Sequence, residues 1–253
     1  MMIDFTDKVV VITGGGGSIG SAVARGFLES KAEKVYILDV SESSLELVLK
    51  ELNKEFSGRV SAKRLDLNKV SDIRSVVEQI VLLEKRIDIL INHAGSTRRK
   101  PALEITEEDW DFVLNVNLKG LFFMAKEVAS YMVKQKGGVI VNTASVSSVR
   151  GHPNLVAYAA SKGGVMQVTK VLANEWAKFN IRVNAIAPGY VYTGQTKDYF
   201  SDESVYKSIV SKIPMGRIGE VSDIVGPVLF LSSDLARYIT GHLLLIDGGR
   251  TID

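Results

Sequence analysis

The sequence predicts an α/β protein: one doubly wound domain on a seven-stranded parallel sheet. Three observations carry that prediction. Short runs rich in Val, Ile and Leu alternate with longer stretches of helical character, the βαβ rhythm that puts helices on both faces of a sheet. The apolar runs are nearly continuous rather than alternating, as expected of strands covered on both sides. A glycine-rich turn follows the first run, at the strand-to-helix end where open parallel sheets hold their ligands.

Taken in order, strands are expected at "KVVVIT" (8–13), "KVYILD" (34–39), "RVSAKRLD" (59–66), "IDILIN" (87–92), "GVIVNTAS" (138–145), "IRVNAIAP" (181–188) and "HLLLID" (242–247). Between them the spacing predicts helices near 18–30, 42–56, 69–85, 106–135, 155–179 and 220–232. No repeat, low-complexity tract or linker interrupts this rhythm, so residues 1–253 read as a single domain.

Composition narrows the function. A chain of 253 residues, 46% hydrophobic and 24% charged, suits a globular protein with a sizeable core. It has no cysteine, which excludes disulfides, thiolate catalysis and sulfur-ligated metal sites, and no metal is expected. The net charge of +2 gives no sign of a nucleic-acid or membrane partner. The opening "MMIDFTDK" carries acids where a secretory signal needs basic residues. No apolar stretch approaches the roughly 18 residues of a membrane span. The expectation is a cytoplasmic protein acting on a small molecule.

The glycine run is the first candidate site. Gly14, Gly15, Gly16 and Gly17 precede Ser18, Ile19 and Gly20, and residues 15–20 fit G-x-G-x-x-G with a strand before and a helix after. A missing Cβ lets backbone N–H groups approach a pyrophosphate, and the helix adds its positive dipole end. Ser18 would cap that helix or donate its hydroxyl to a phosphate. A ligand-free tight turn is the alternative. Asp39 favours the dinucleotide: it closes the second strand 19 residues beyond Gly20, where an acid accepts from an adenosine ribose and repels a 2′-phosphate. The cofactor expected is therefore NAD. Asp39 capping the helix of "SESSLELV" is the competing role.

A second constellation sits further on. Tyr158 and Lys162 in "YAASK" are four residues apart, on one face of a helix. Ser145 ends the fifth strand, and Asn117 lies in "NVNLKG" within the preceding helix. A tyrosine of ordinary pKa near 10 is a poor base at neutral pH. A neighbouring ammonium and an oxidised nicotinamide would favour its phenolate, and a shift of about three units needs roughly 4 kcal/mol. Tyr158 would then exchange a proton with a substrate hydroxyl or carbonyl, Ser145 would hydrogen-bond the same oxygen, and the nicotinamide would carry the hydride.

With these motifs the chain resembles the short-chain dehydrogenase/reductase family over essentially its whole length. The resemblance runs through the glycine turn, Asp39, Asp66 in "LDL", "NHAG" at 92–95, Asn117, Ser145, "YAASK", "APGYVYT" at 187–193 and "IDGG" at 246–249. It implies a Rossmann fold, an NAD-dependent oxidoreductase of alcohols and ketones, and a homotetramer. It implies that Tyr158 is the acid/base, that Ser145 binds the substrate oxygen, and that Lys162 tunes Tyr158 and holds the nicotinamide ribose. Asn117 would join a water relay. Gly14, Gly17, Ser18, Ile19 and Gly20 would cradle the pyrophosphate, and Asp66 and Leu67 would contact the adenine. Asn92, Ala94 and Gly95 would pass the adenosine ribose, and Pro188, Gly189, Val191 and Thr193 would line the nicotinamide. Two positions depart from the family: Ser18 stands where its second glycine is usual, and His93 where asparagine is common. Gly14, Gly17 and Gly20 satisfy a relaxed spacing, and His93 reads as structural.

Substrate clues come from two loops. "STRRKP" (96–101) and "SVRGHPN" (148–154) bring Arg98, Arg99, Lys100, Arg150 and His152 towards one mouth of the sheet. Arg98, Arg150 and His152 are the expected substrate contacts, since a cationic rim suits a carboxylate or phosphate; solvated loop charges would look the same. "AGSTRRKP" is similar to the sugar-acid branch of the family, the gluconate 5-dehydrogenases and deoxygluconate dehydrogenases. Residues 190–215 are expected to form a substrate lid. Two other functions fit the motifs: a 3-oxoacyl thioester reductase, and a catalytically silent NAD-binding protein.

Overall fold

Seven parallel strands hydrogen-bond in the order β3-β2-β1-β4-β5-β6-β7 in the computed structural model, which describes residues 3–194 and 196–252. Met1, Met2, Gln195 and Asp253 lie outside the described residues; the readings of the opening segment, the 190–215 lid and the 1–253 domain had included them. The strands are β1 (Val9–Thr13), β2 (Lys34–Asp39), β3 (Val60–Arg64), β4 (Ile89–Asn92), β5 (Gly138–Thr143), β6 (Ile181–Pro188) and β7 (Leu243–Ile246). β1 pairs with β2 on one side and β4 on the other. The chain therefore reverses its winding there, which opens a crevice at the carboxyl ends of β1 and β4.

Burial explains why the strands read as continuous apolar runs. Within β1, Val10 and Ile12 enter the core layer that contains Phe27 and Val228, while Val9 and Val11 enter the layer with Ile73 and Met124. The period-2 alternation survives, but both faces are apolar because both are covered. On one face lie α1 (Ser18–Glu29), α2 (Glu42–Asn53) and, towards the carboxyl end, α9 (Val221–Ser232). On the other lie α3 (Val70–Glu84), α5 (Leu121–Lys134) and α6 (Val156–Trp176).

Two sequence expectations change. β5 stops at Thr143, so Ser145 does not end the strand; it caps a 3-10 turn (Val146–Ser148) instead. The helix expected over 106–135 is broken. α4 (Glu107–Leu114), opened by a Thr106–Asp109 capping box, passes into a π-helical turn (Asn115–Gly120) before α5. At Gly120 a Cβ would lie 2.7 Å from the Leu67 carbonyl, so the helix can approach β3's loop only where it carries a glycine and widens. The segment after β6 holds α7 (Lys197–Phe200) and α8 (Glu203–Val210). Phe200, Ile209, Ile213 and Ile218 are buried together there, a small core that its polar sequence concealed.

Phe27 is fully buried on α1 and packs against Phe5 with ring centres 4.7 Å apart. Phe27→Ala should lower unfolding stability by about 3–5 kcal/mol, read as a fall in the denaturant midpoint at constant slope.

Candidate active site

The glycine turn is built by close approach. Gly14 has φ +72°, and a Cβ on it would meet Ala94 Cα at 2.9 Å. A Cβ on Gly20 would lie 2.2 Å from the Gly14 carbonyl oxygen, on Gly15 2.6 Å from Ile37 Cβ, and on Gly16 2.9 Å from Ser44 Cβ. Gly17 differs: its Cβ would make only an ordinary 3.5 Å contact with the Gly14 oxygen. Four glycines are demanded by the turn's own packing, whereas a Cβ at Gly17, which lines the crevice, would be accommodated. Gly17 caps α1 with no side-chain bond, so Ser18 does not cap the helix. Its hydroxyl instead accepts a 3.4 Å hydrogen bond from the Gly194 N–H. Thr13, which the sequence reading missed, accepts through Oγ1 from the N–H groups of His93 and Ala94 and ties the two loops of the crevice together.

Asp39 lies beside this turn. Its Oδ2 accepts from the Gly16 N–H and its Oδ1 from the Ser41 N–H, both at 3.1 Å. Ser41, not Asp39, caps α2, which removes the capping role for Asp39. A carboxylate has about four acceptor positions, so two remain for hydroxyls of a ligand. Asp39, Asp66 and Leu67 line one lobe of the crevice, of about 660 Å³. A second lobe of about 560 Å³ holds Ser145, Tyr158 and Lys162. Ile19, His93, Gly95, Ser96 and Thr193 line both, which makes one continuous crevice. Its size and the open Gly17 fit a dinucleotide. Ala94 faces the first lobe; Pro188, Gly189 and Val191 face the second.

Two expected cofactor contacts do not face the crevice. Gly20 serves the packing just described. Asn92 is buried as the last residue of β4, and its Nδ2 donates to Asn142 Oδ1 at 3.0 Å. Strand alternation turns that side chain inside.

The second lobe assembles from three elements. The Ser145 hydroxyl accepts from the Ser147 N–H at 3.1 Å and interacts with the Tyr158 phenol. Tyr158 and Lys162 stand one turn apart on α6, with Lys162 Nζ 5.8 Å from the tyrosine ring centre. Lys162 is only 3% exposed and donates to the Thr143 carbonyl at 2.6 Å. The π-helical turn directs Asn117 inward: Oδ1 accepts from the Ser96 N–H at 2.7 Å, and Nδ2 donates to the Ser96 carbonyl and to Ser161 Oγ. Asn117 thus clamps the loop after β4. Gly95 lies between it and Lys162, because a Cβ there would be 3.4 Å from Nζ and 3.5 Å from Asn117 Oδ1.

Burial governs the titration of this lobe. It lowers the Lys162 ammonium to about 8. It also raises the Tyr158 phenol above its ordinary value, against the opposing pulls of the Ser145 hydroxyl and the Arg99 charge. The expected depression of Tyr158 is therefore not what the protein alone provides, because desolvation outweighs the lowering effects of Ser145 and Arg99. His93 falls to about 4 through burial and then the Lys162 charge, so it is neutral at physiological pH, and its Nδ1 lies 3.1 Å from Thr143 Oγ1.

The cationic rim is smaller than expected. Arg98 pairs with Asp109 at 3.7 Å and lies over the Phe112 ring, and Lys100 pairs with the same aspartate. Arg150 donates to the Arg250 carbonyl at 2.9 Å and does not line the lobe. Arg99 and His152 do line it. His152 Nδ1 lies 3.1 Å from Ser147 Oγ, its Nε2 is buried without a partner among the described residues, and its pKa is lowered by burial and by Arg250, Arg150 and Arg99. Tyr190, absent from the expected contacts, completes this wall.

A family model described as enoyl-(acyl carrier protein) reductase matches residues 15–251. The chain is 40% identical over 243 residues to a 2-dehydro-3-deoxy-D-gluconate 5-dehydrogenase of Escherichia coli, across 96% of this chain and 94% of that protein. It is 42% identical over 245 residues to a 3-oxoacyl-(acyl-carrier-protein) reductase of Thermotoga maritima, across 97% and 98%. A gluconate 5-dehydrogenase from Burkholderia cenocepacia, solved in complex with NADP and tartrate, is similar with a TM-score of 0.93 at 31% identity, across 99% and 98% of the two chains.

The glycine geometry separates fold from ligand. Gly17→Ala should leave the melting temperature within about 2 °C while weakening binding of a nicotinamide dinucleotide at least about tenfold, read by calorimetry; Gly20→Ala should unfold several degrees earlier, because its Cβ overlaps a backbone oxygen.

Proposed function

The chain belongs to the short-chain dehydrogenase/reductase family as an oxidoreductase acting on CH–OH groups, and we propose that it moves a hydride between NAD(H) and a secondary alcohol or ketone of a small polyhydroxy acid. The observation that carries this reading is one crevice with Asp39 at one end and Ser145, Tyr158 and Lys162 at the other.

The geometry supports a role for each residue. Tyr158 is the acid/base: in oxidation its phenolate takes the proton of the substrate hydroxyl, while the Ser145 hydroxyl donates to the same oxygen. Held in the crevice, NAD would supply the hydride acceptor for the substrate carbon. Burial opposes the phenolate, so charge in the loaded site must offset it, and Lys162, Arg99 and the Ser145 hydroxyl are the protein's contributions. The Lys162 ammonium spends one N–H on Thr143 and keeps two for ribose hydroxyls. Asn117 holds the Ser96 backbone and, with it, the loop beside Lys162; its water relay belongs to this proposal too. The glycine turn, Ser18 and Ile19 take the pyrophosphate, and Asp66, Leu67, Ala94 and Gly95 border the adenosine half. Pro188, Gly189, Val191 and Thr193 border the nicotinamide half.

NAD rather than NADP rests on Asp39. A 2′-phosphate would bring about −2 of charge against this carboxylate, whereas ribose hydroxyls satisfy its two remaining acceptor positions. The Burkholderia relative was solved with NADP, which makes Asp39 the residue to test. For the substrate, Arg99 and His152 at the lobe support an acidic compound, in keeping with the gluconate-type relatives. The similarity to the Thermotoga reductase favours a second reading, reduction of a 3-oxoacyl thioester; clear preference for NADPH with such a thioester would put it first. The complete Ser145, Tyr158, Lys162 set argues against a silent binding protein. We also propose a cytoplasmic homotetramer, in keeping with the family resemblance. Among the described residues no helix is long and apolar enough to cross a membrane.

Tyr158→Phe should lose about 10²–10⁴-fold in turnover on a panel of polyhydroxy acids and keep NAD affinity; unchanged turnover removes Tyr158 from the mechanism. Because oxidation needs the phenolate and burial opposes it, oxidation should quicken as pH rises and reduction should not. Asp39→Ala should narrow or reverse a preference for NAD over NADP when both are titrated; a wild type that favours NADP counts against the assignment.

A further inference from the structure

Among the described residues three buried side-chain atoms have no hydrogen-bond partner: Asn92 Oδ1, His152 Nε2 and Arg250 Nε. Native proteins leave few such atoms, and each asks for an explanation. Asn92 ends β4 with its side chain turned inside. The other two fall together. Arg150, two residues before His152, donates to the Arg250 carbonyl at 2.9 Å, which brings the turn after β7 against the loop that carries His152. After burial, the Arg250 charge does most to lower the His152 imidazole. His152 itself lines the lobe that holds Ser145 and Tyr158, its ring edge-on to Tyr190 with centres 6.3 Å apart.

The two atoms suit one kind of group. A guanidinium Nε carries a proton and never accepts, so Arg250 presents an N–H with no acceptor. Ser147 Oγ lies 3.1 Å from His152 Nδ1; with that hydroxyl donating to Nδ1, the ring proton sits on Nε2. The pair then offers two buried N–H groups and the positive charge of Arg250. Arg98 and Lys100 are spent on Asp109, whereas no carboxylate of the described residues pairs with Arg250. A carboxylate arriving with a substrate would supply both missing acceptors and the opposite charge, and charge-assisted bonds of this kind are the strong ones.

We propose that His152 Nε2 and Arg250 Nε form the seat for the substrate's carboxylate, both N–H groups donating to its oxygens, and that this seat makes the protein choose acids over neutral polyols. The inference rests on the reading of the second lobe as the substrate site, and it adds a residue from the turn after β7 to that lobe. Ser147 and Arg150 are positioning residues for it. Ser147 sets the proton on His152 while its N–H donates to Ser145 Oγ, and Arg150 holds the Arg250 backbone.

The test uses the full-length protein with NAD and matched pairs of substrates, each a polyhydroxy acid and the polyol of the same carbon skeleton, gluconate and glucitol among them. The wild type should favour the acid in kcat/KM. In Arg250→Gln and His152→Phe that preference should fall about tenfold to a hundredfold, through KM rather than kcat. His152→Gln, whose amide N–H stands near the place of Nε2, should recover part of it. Arg250→Lys, which returns the charge without the Nε–H, should recover less. Calorimetry with tartrate reads the seat without turnover and should show the same losses, with near-UV circular dichroism reporting that each variant is folded. If either Arg250→Gln or His152→Phe keeps both the wild-type preference and the tartrate affinity, the seat is overturned and hydride transfer stands; a bridging water then satisfies the two groups. If the wild type oxidises polyols as well as acids and does not bind tartrate, the seat falls together with the acidic substrate. If the protein neither binds NAD nor oxidises any pair, the proposed function fails on its own, and tartrate affinity across the wild type and variants still decides the seat.

Discussion

The structure depends on how closely the turn after β1 can approach the loop after β4. These two strands lie side by side at the point where the winding reverses, and each must leave the sheet for a helix within a few residues. The Gly14 backbone rests on Ala94, and α1 begins so near that Gly20 faces the Gly14 carbonyl at a distance no Cβ tolerates. Thr13 Oγ1 holds the opposite side by accepting two N–H groups of the β4 loop. Add a carbon at either glycine and the turn must move away, which separates the cofactor end of the crevice from the loop that carries His93, Gly95 and Ser96. The continuity of the two lobes follows from that contact.

At the other end the governing quantity is burial. Lys162 is drawn into the protein until its ammonium titrates near 8, and the Tyr158 phenol is driven upward. Neither shift stabilises the fold. For Lys162 the unfolded chain binds more protons between about 8 and 10.5, so stability rises with pH across that window, and below it the charged, buried form is a standing cost. A core that carries such a cost at a crevice is arranged for charge that arrives with a ligand. His93 and Asn117 surround it without adding charge: one is neutral by desolvation, the other is bonded to the Ser96 backbone and Ser161.

The fold was largely legible because its signal is local and repeated. Runs such as "VVVIT" and "KVYILD" can be strands covered on both faces and little else, and the glycine pattern after the first of them marks the ligand end. Tyr158 and Lys162 were legible for a similar reason: four residues on a helix bring two side chains to one face whatever surrounds them. The misses are where a residue's fate is set by partners distant in sequence. Arg98 and Lys100 turn to Asp109, and Arg150 to the Arg250 carbonyl, because a loop charge takes the acceptor that folding brings near. Asn92 belongs to the "NHAG" motif yet points inside, since strand parity outranks motif membership. The π-helical turn at Asn115–Gly120 leaves the apolar period almost unchanged, so periodicity passes over it.

Sequence alone determined the strand-helix rhythm, the parallel sheet, the glycine turn and the pairing of Tyr158 with Lys162, because each is a matter of backbone propensity or fixed helical spacing. Only the tertiary structure decided which glycines serve packing and which leaves room for a ligand, where Ser18 spends its hydroxyl, and which cations remain at the substrate lobe. Those outcomes turn on distances of a few tenths of an ångström and on competition for hydrogen-bond partners. Neither exists until elements far apart in the chain are brought together.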